Sequence, residues 1–102
     1  MDKPYLIFCQ KRTINLLINI IGRWDVRLAG RLKTAFSGYF SSITTERDEK
    51  GEKGDIILGA LMGYVFDFCA YINARVSGDT KAFQDAEDML NDRIQELLEE
   101  DA

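Results

Sequence analysis

The amino-acid sequence predicts an all-α fold, a compact bundle of about four helices that forms one domain over residues 1–102. Apolar residues recur at spacings of three and four along most of the chain. The single proline is Pro4, so no later position forbids a long helix. Signals for the tight turns of a β-rich fold are few. A chain of 102 residues has a thin core, and we expect that dimerisation could complete the bundle.

The first helix is predicted from its apolar face and from the glycine that follows it. Residues 4–10 are ambiguous between a short strand and a first helical turn. The segment KRTINLLINIIG, residues 11–22, then places Ile14, Leu17, Ile18 and Ile21 on one face. We expect Gly22 to end this helix.

The second helix is predicted to begin at Trp24, with Asp25 in its first turn, where the helix dipole favours negative charge. Its apolar positions are Trp24, Leu28, Leu32, Ala35, Phe36, Tyr39, Phe40 and Ile43. Residues 44–55, TTERDEKGEKGD, carry eight charges and two glycines, which predicts an exposed connection. The connection separates a basic half, 1–47, from an acidic half, 56–102.

The third helix is predicted over residues 56–76, with Asp55 as its N-cap. It is apolar nearly all round, which predicts the most buried helix of the bundle. Its run 56–72 has 17 residues, while a membrane span needs about 20. Because Asp67 also falls inside this run, we favour a buried helix over a membrane segment and expect Asp67 to be paired or at a subunit interface. Gly59 and Gly63 form a GxxxG motif, a pattern typical of closely paired helices.

The fourth helix follows Gly78, which suits a left-handed C-cap, and is capped by Asp79 or Thr80. Its apolar positions nearly follow a heptad pattern: Phe83, Ala86, Leu90, Ile94 and Leu97. Cys9 and Cys69 both lie in apolar surroundings, so we expect two buried free thiols.

Charge is distributed unevenly along the chain. Residues 1–47 hold eight Lys or Arg and three Asp or Glu, a net charge of +5. Residues 48–102 hold five bases and 14 acids, a net charge of −9. Two surfaces follow, which we name the acidic stripe (Asp85, Asp88, Asp92, Glu96, Glu99) and the basic stripe (Arg23, Arg27, Arg31, Lys33).

Three interpretations of these stripes remain open besides solvated charge without a role. The acidic helix could neutralise the arginines of the second helix. It could instead present a negative surface that docks on a basic groove of another protein. The basic stripe could contact nucleic acid, although a chain with an isoelectric point near 4.8 repels a polyanion unless its acids face away.

The residues needed for most catalytic sites are missing. The chain has no histidine, which excludes Ser-His and Cys-His nucleophile pairs and histidine metal sites. Two cysteines 60 positions apart cannot form a four-thiolate zinc site, and no phosphate-binding loop motif occurs. We therefore expect no enzyme activity, no metal and no cofactor.

The sequence thus predicts a small regulatory or inhibitory protein, of the kind that phages and mobile elements encode, that binds a larger protein through the acidic stripe. Exposed aromatic residues could anchor the contact, with Trp24, Tyr39, Phe40 and Tyr64 as candidates. A homodimer is also expected. The alternatives are a nucleic-acid-binding regulator that uses the basic stripe and a small membrane-associated factor. The beginning of the chain shows no signal-peptide pattern, which predicts a cytoplasmic protein.

Overall fold

Four helices account for nearly all of the residues described by the computed structural model, which covers 3–45 and 52–100. The helices are α1 (Lys3–Ile21), α2 (Val26–Thr45), α3 (Glu52–Ser77) and α4 (Thr80–Glu100). No strand occurs in these two ranges. The all-α prediction is confirmed, and the ambiguous residues 4–10 belong to α1.

A short turn joins α1 to α2. The backbone N–H of Gly22 donates to the Ile18 carbonyl at 2.9 Å, and that of Asp25 donates to the Ile21 carbonyl at 2.9 Å. A Cβ on Gly22 would lie 3.2 Å from the Ala29 Cβ, so glycine lets the end of α1 approach α2 closely. The Asp25 carboxylate accepts the backbone N–H of Leu28 at 3.0 Å. Asp25 is therefore the N-cap of α2, and α2 begins two residues later than the prediction from Trp24.

The turn between α3 and α4 contains Gly78 and Asp79. Gly78 has φ +75°, the left-handed conformation that was predicted for it. The Asp79 carboxylate accepts the backbone N–H of Ala82 at 3.0 Å, which identifies Asp79 as the N-cap of α4.

The beginning of α3 differs from its prediction. The helix starts at Glu52, so Asp55 lies inside it and is not its N-cap. Asp55 instead forms an ion pair with Lys3 of α1 at 3.0 Å. Within the connection predicted over residues 44–55, residues 44–45 and 52–55 are helical, and residues 46–51 lie outside the described ranges.

The helix directions follow from contacts between side chains. The Lys3–Asp55 pair joins the N-terminal ends of α1 and α3, so these neighbours run parallel. Asp67 of α3 contacts Arg93 of α4, and Tyr71 packs on Phe83, so α3 and α4 run antiparallel.

The packing places α2 and α3 at diagonal corners of the bundle. Both α1 and α4 pack against each of these two helices. Across the centre, the ring of Phe36 contacts those of Tyr64 and Phe68, at centroid distances of 5.0 and 5.4 Å. The outward sides of α2 and α3 therefore face away from each other.

One hydrophobic core joins all four helices, and most of the predicted apolar faces are confirmed. The predicted positions that are buried are Ile14, Ile18, Ile21, Leu28, Leu32, Ala35, Phe36, Ile43, Ala86, Leu90, Ile94 and Leu97. Leu17 and Phe83 are partly buried against them. Ile7, Leu61, Phe68 and Tyr71 complete the largest buried side chains.

Two predictions about burial are wrong. α3 is not buried all round, because only one of its sides faces the core and Phe66, on the opposite side, is 72% exposed. The thiols are free, but Cys9 is half-buried and Cys69 is exposed. Both errors have one cause: an apolar sequence does not specify how many neighbours surround a helix.

Candidate functional site

The acidic stripe lies on the outward side of α4, and all five of its residues are exposed. Asp88 and Glu99 accept hydrogen bonds from glutamine amides one turn earlier on the same helix. Glu96 forms an ion pair with Arg93, also within α4, at 3.2 Å. Asp85 and Asp92 form no hydrogen bond or ion pair with any described residue. The stripe thus carries a concentrated negative charge that is open to solvent.

The basic stripe lies on α2 and on the turn before it, and its four side chains are exposed. Arg23 and Lys33 line a surface groove between α1 and α2, whereas Arg27 and Arg31 line grooves between α2 and α4. The four positive charges therefore do not form a single row.

Within residues 3–45 and 52–100, no ion pair joins the acidic stripe to the basic stripe. α2 and α4 are neighbours, but the contact from the basic stripe is a hydrogen bond from the Arg31 guanidinium to the Asn91 side-chain oxygen, at 2.7 Å. Arg23 and Arg27 form no ion pair with a described residue. Internal pairing, one of the three interpretations above, is not found in the described residues.

Three of the four predicted aromatic anchors belong to the edge of the core. Tyr39, Phe40 and Tyr64 are half-buried and pack around Phe36. Trp24 is 39% exposed, and the Arg75 guanidinium lies 5.9 Å from its ring centroid. Trp24 is thus the one exposed side chain among these four aromatic residues.

The outward side of α3 is an exposed apolar surface, although the sequence predicted that this helix would be buried all round. We name this surface the α3 face and define it by seven exposed residues: Ile56, Gly59, Met62, Gly63, Phe66, Cys69 and Ala70. Ile56, Met62 and Phe66 are 65%, 49% and 72% exposed. A Cβ on Gly59 or Gly63 would meet no atom within 4 Å, so both glycines open directly to solvent.

A signal for the α3 face was present in the sequence. Four of the seven residues of the α3 face are small, among them Gly59 and Gly63, although Gly54 and Ala74 of the same helix are buried. Large residues fill a core, whereas small ones suit close approach of a second helix. Hydropathy alone does not separate the two sides.

Asp67 is a paired charge at the boundary of α3 and α4. Its carboxylate accepts a hydrogen bond from the Arg93 guanidinium at 3.0 Å, and its side chain is 18% exposed. The hydrogen bond from Arg93 to Asp67 raises the pKa of Arg93. Of the two roles that the sequence allowed for Asp67, the structure shows the paired one.

Residues 3–45 and 52–100 contain no group of three or more Cys, Asp or Glu side chains that could hold a metal ion. The Tyr71 hydroxyl is buried and has no hydrogen-bond partner among the described residues. Burial raises the pKa of Tyr71, and the nearby charge of Arg75 opposes that rise.

Among the described residues, one helix is long and apolar enough to cross a membrane. It covers Gly54–Ser77, and 22% of its most apolar window is buried inside the bundle. Length and composition are weak support for a span, because core helices of soluble proteins share them. The packing of this helix against α1 and α4 is consistent with a soluble bundle.

Comparisons with protein-family models, with curated proteins and with solved structures returned no match for this chain. What the molecule binds is therefore inferred from its own surfaces.

Proposed function

We propose that this protein is a non-enzymatic regulator or inhibitor that binds a larger protein, with the acidic stripe docking on a basic surface of that partner. The observation that supports the proposal is the stripe itself, five exposed carboxylates along α4, of which Glu96 alone forms an ion pair with a described residue. From Asp85 to Glu99 the stripe extends about 21 Å at 1.5 Å per residue. A partner with basic residues at helical or groove spacing could contact several of these carboxylates at once.

The spacing of the carboxylates explains why a basic partner would be attractive. Asp88 and Asp92 are four residues apart, as are Asp92 and Glu96, so like charges are neighbours on the helix surface. Each such pair destabilises a helix by about 0.2–0.5 kcal/mol. A basic partner removes this repulsion, and the field of the stripe accelerates encounter with it.

The test compares charge at the stripe with charge elsewhere. The triple variant Asp85→Asn, Asp88→Asn, Asp92→Asn raises the net charge by three and leaves the Arg93–Glu96 pair intact. A matched control, Asn15→Lys, Asn19→Lys, Ser37→Lys, adds the same charge at exposed positions of α1 and α2. Each tagged variant is used for affinity capture from source cells, with nuclease present, followed by mass spectrometry.

We expect proteins captured by the wild type to be lost with the stripe variant and kept with the control. Equal capture by the stripe variant and the wild type would show that the acidic stripe is not the binding surface. A cytoplasmic location is part of the same proposal, since an exposed free thiol such as Cys69 stays reduced in that compartment.

A second candidate function is nucleic-acid binding by the basic stripe. Two observations favour it. All four side chains are exposed, and neither Arg23 nor Arg27 forms an ion pair with a described residue. Titration with duplex and single-stranded DNA at 50 mM salt tests it. Binding that falls steeply with salt and is lost with Arg23→Gln, Arg27→Gln would support this function, and no binding would exclude it.

A further inference from the structure

The α3 face points to self-association: we infer that two copies of this chain form an antiparallel dimer through this surface. Between Ile56 and Ala70 the outward side of α3 carries no charged side chain. Exposed apolar side chains of this size, collected on one helix side, mark interaction surfaces. Two identical copies of an uncharged face can meet without opposing like charges, although each chain has a net charge of −4.

The arrangement of large and small residues is complementary to itself. Gly59 and Phe66 lie seven residues, or about two turns, apart on the same side of α3. When two α3 helices cross antiparallel around a two-fold axis between Met62 and Gly63, Phe66 of each copy lies over Gly59 of the other. A large side chain then fills the space that a missing Cβ leaves.

A parallel pairing of the same helices fits less well. A two-fold axis parallel to α3 would place Phe66 against Phe66 and glycine against glycine. The first contact crowds two rings, and the second leaves a gap beside them. Packing of large against small residues therefore favours the antiparallel arrangement.

The size of the face sets the expected strength of the dimer. From Ile56 to Ala70 it is about 21 Å long and about 10 Å wide, a footprint of a few hundred Å² per copy. Stable complexes bury about 800 Å² per partner. Because the α3 face is smaller than this, we expect a weak dimer that forms only at high protein concentration.

Sedimentation equilibrium of the full chain from 1 to 500 µM measures this association. We expect monomer at the low end and dimer at the high end. Phe66→Glu should weaken the dimer at least tenfold, whereas Val26→Glu should not change it. Val26 is 78% exposed on α2, at the diagonal corner, so this control makes the same charge change on another apolar residue.

A second pair of variants separates shape from hydrophobicity. Gly59→Leu adds apolar surface but fills the site that Phe66 of the other copy would occupy, so we expect weaker dimerisation. Gly30→Leu adds the same surface on α2, where a Cβ also meets nothing within 4 Å, and should leave the dimer unchanged. Stronger association of Gly59→Leu would contradict the packing of Phe66 on Gly59.

Disulfide cross-linking under mild oxidation tests the direction of the helices. In a background without Cys9 and Cys69, Met62→Cys places one thiol beside the two-fold axis, so covalent dimers should form. In the wild type, antiparallel helices keep the two Cys69 thiols about 20 Å apart along the axis, and no Cys69–Cys69 bond should form. Rapid cross-linking through Cys69 would overturn the antiparallel arrangement.

A membrane is the competing occupant of the α3 face, and flotation with phosphatidylcholine vesicles tests for it. Monomer at every concentration together with vesicle binding that Phe66→Glu abolishes would overturn the dimer in favour of a lipid surface. The variant with three asparagines in the acidic stripe should dimerise like the wild type. Loss of partner capture and loss of dimerisation are thus separate results.

Discussion

Tyr71 combines complete burial with an unsatisfied polar group. It is the largest of the fully buried side chains, and its hydroxyl has no partner among the described residues. Leaving a buried hydroxyl without a hydrogen bond costs about 1–3 kcal/mol. Burial of the ring therefore stabilises the folded state, while the unpaired hydroxyl oxygen offsets part of that stabilisation.

Replacing Tyr71 by phenylalanine should stabilise the protein by about 1 kcal/mol at neutral pH. Urea denaturation of the two proteins at one low concentration measures the difference. A loss of stability in the variant would mean that the hydroxyl has a favourable partner.

The same residue predicts a pH dependence. Burial raises the pKa of Tyr71 above its ordinary value of 10.0 in the folded state. Below pH 10 the hydroxyl is protonated in both the folded and the unfolded state, so the free energy of unfolding does not change with its titration. As the pH rises from 10 through the higher folded-state pKa, the unfolded state loses this proton first and the free energy of unfolding falls. Denaturation at pH 7 and pH 11 should show a smaller alkaline loss for Tyr71→Phe than for the wild type.

The Asp67–Arg93 pair should couple more strongly than an exposed ion pair. Asp67 is 18% exposed, whereas Glu96, the second partner of Arg93, is 58% exposed. A double-mutant cycle with alanine should give a coupling free energy of about 1 kcal/mol for Arg93–Asp67 and less than about 0.5 kcal/mol for Arg93–Glu96. Equal values would show that solvent screens both pairs to the same extent.

At the scale of helices, two glycines have opposite effects on stability. Gly30 lies inside α2 with open space where a Cβ would be, so it costs helix stability without any packing benefit. Gly78 adopts φ +75° at the end of α3, where a side chain is strained.

Alanine substitutions should separate these two roles. Gly30→Ala should stabilise the protein by about 0.5–1 kcal/mol, and Gly78→Ala should destabilise it by about 1 kcal/mol. Thermal denaturation followed by circular dichroism measures both. A stabilising Gly78→Ala substitution would contradict the left-handed conformation.

The acidic stripe of α4 predicts that binding and stability change in opposite directions. Neutralising Asp85, Asp88 and Asp92 removes like-charge neighbours and should stabilise the free protein by about 0.5–1 kcal/mol. The same substitutions should abolish capture of the proposed partner. A stripe variant that is both less stable and less able to bind would indicate a structural role for these carboxylates.

At the scale of the whole molecule, the bundle separates its surfaces by direction. α2 and α3 lie at diagonal corners, so the basic stripe and the α3 face point away from each other. The acidic stripe on α4 lies between them. A dimer through α3 therefore leaves both other surfaces of each copy accessible, and it would present two acidic stripes to a partner.

The two proposed interactions should respond differently to salt. Raising the salt concentration from 50 to 500 mM screens the acidic stripe and should weaken partner capture. The same change should not weaken the dimer, because the α3 face is uncharged and repulsion between two chains of charge −4 decreases. Sedimentation equilibrium at both salt concentrations measures the second effect, and a dimer that dissociates at high salt would show that charged groups hold it together.

Local sequence signals predicted the helices well because caps and apolar spacing act within a few residues. Gly78 and Asp79 mark the α3–α4 turn where the sequence placed it. The beginning of α3 was missed, because a charged helical turn before an apolar segment resembles a loop in composition. The exposure of the acidic stripe was also predictable, since charged residues at helical spacing face solvent.

The sequence by itself determined the four amphipathic segments, their caps and the uneven distribution of charge, because each depends on residues close together in the chain. Only the tertiary structure decided which apolar surface stayed uncovered and whether the arginines met carboxylates. Those outcomes depend on which helices become neighbours, a choice made by packing between residues far apart in the chain. Thus Asp67 forms an ion pair with Arg93 of α4, whereas Phe66, one position earlier, faces solvent.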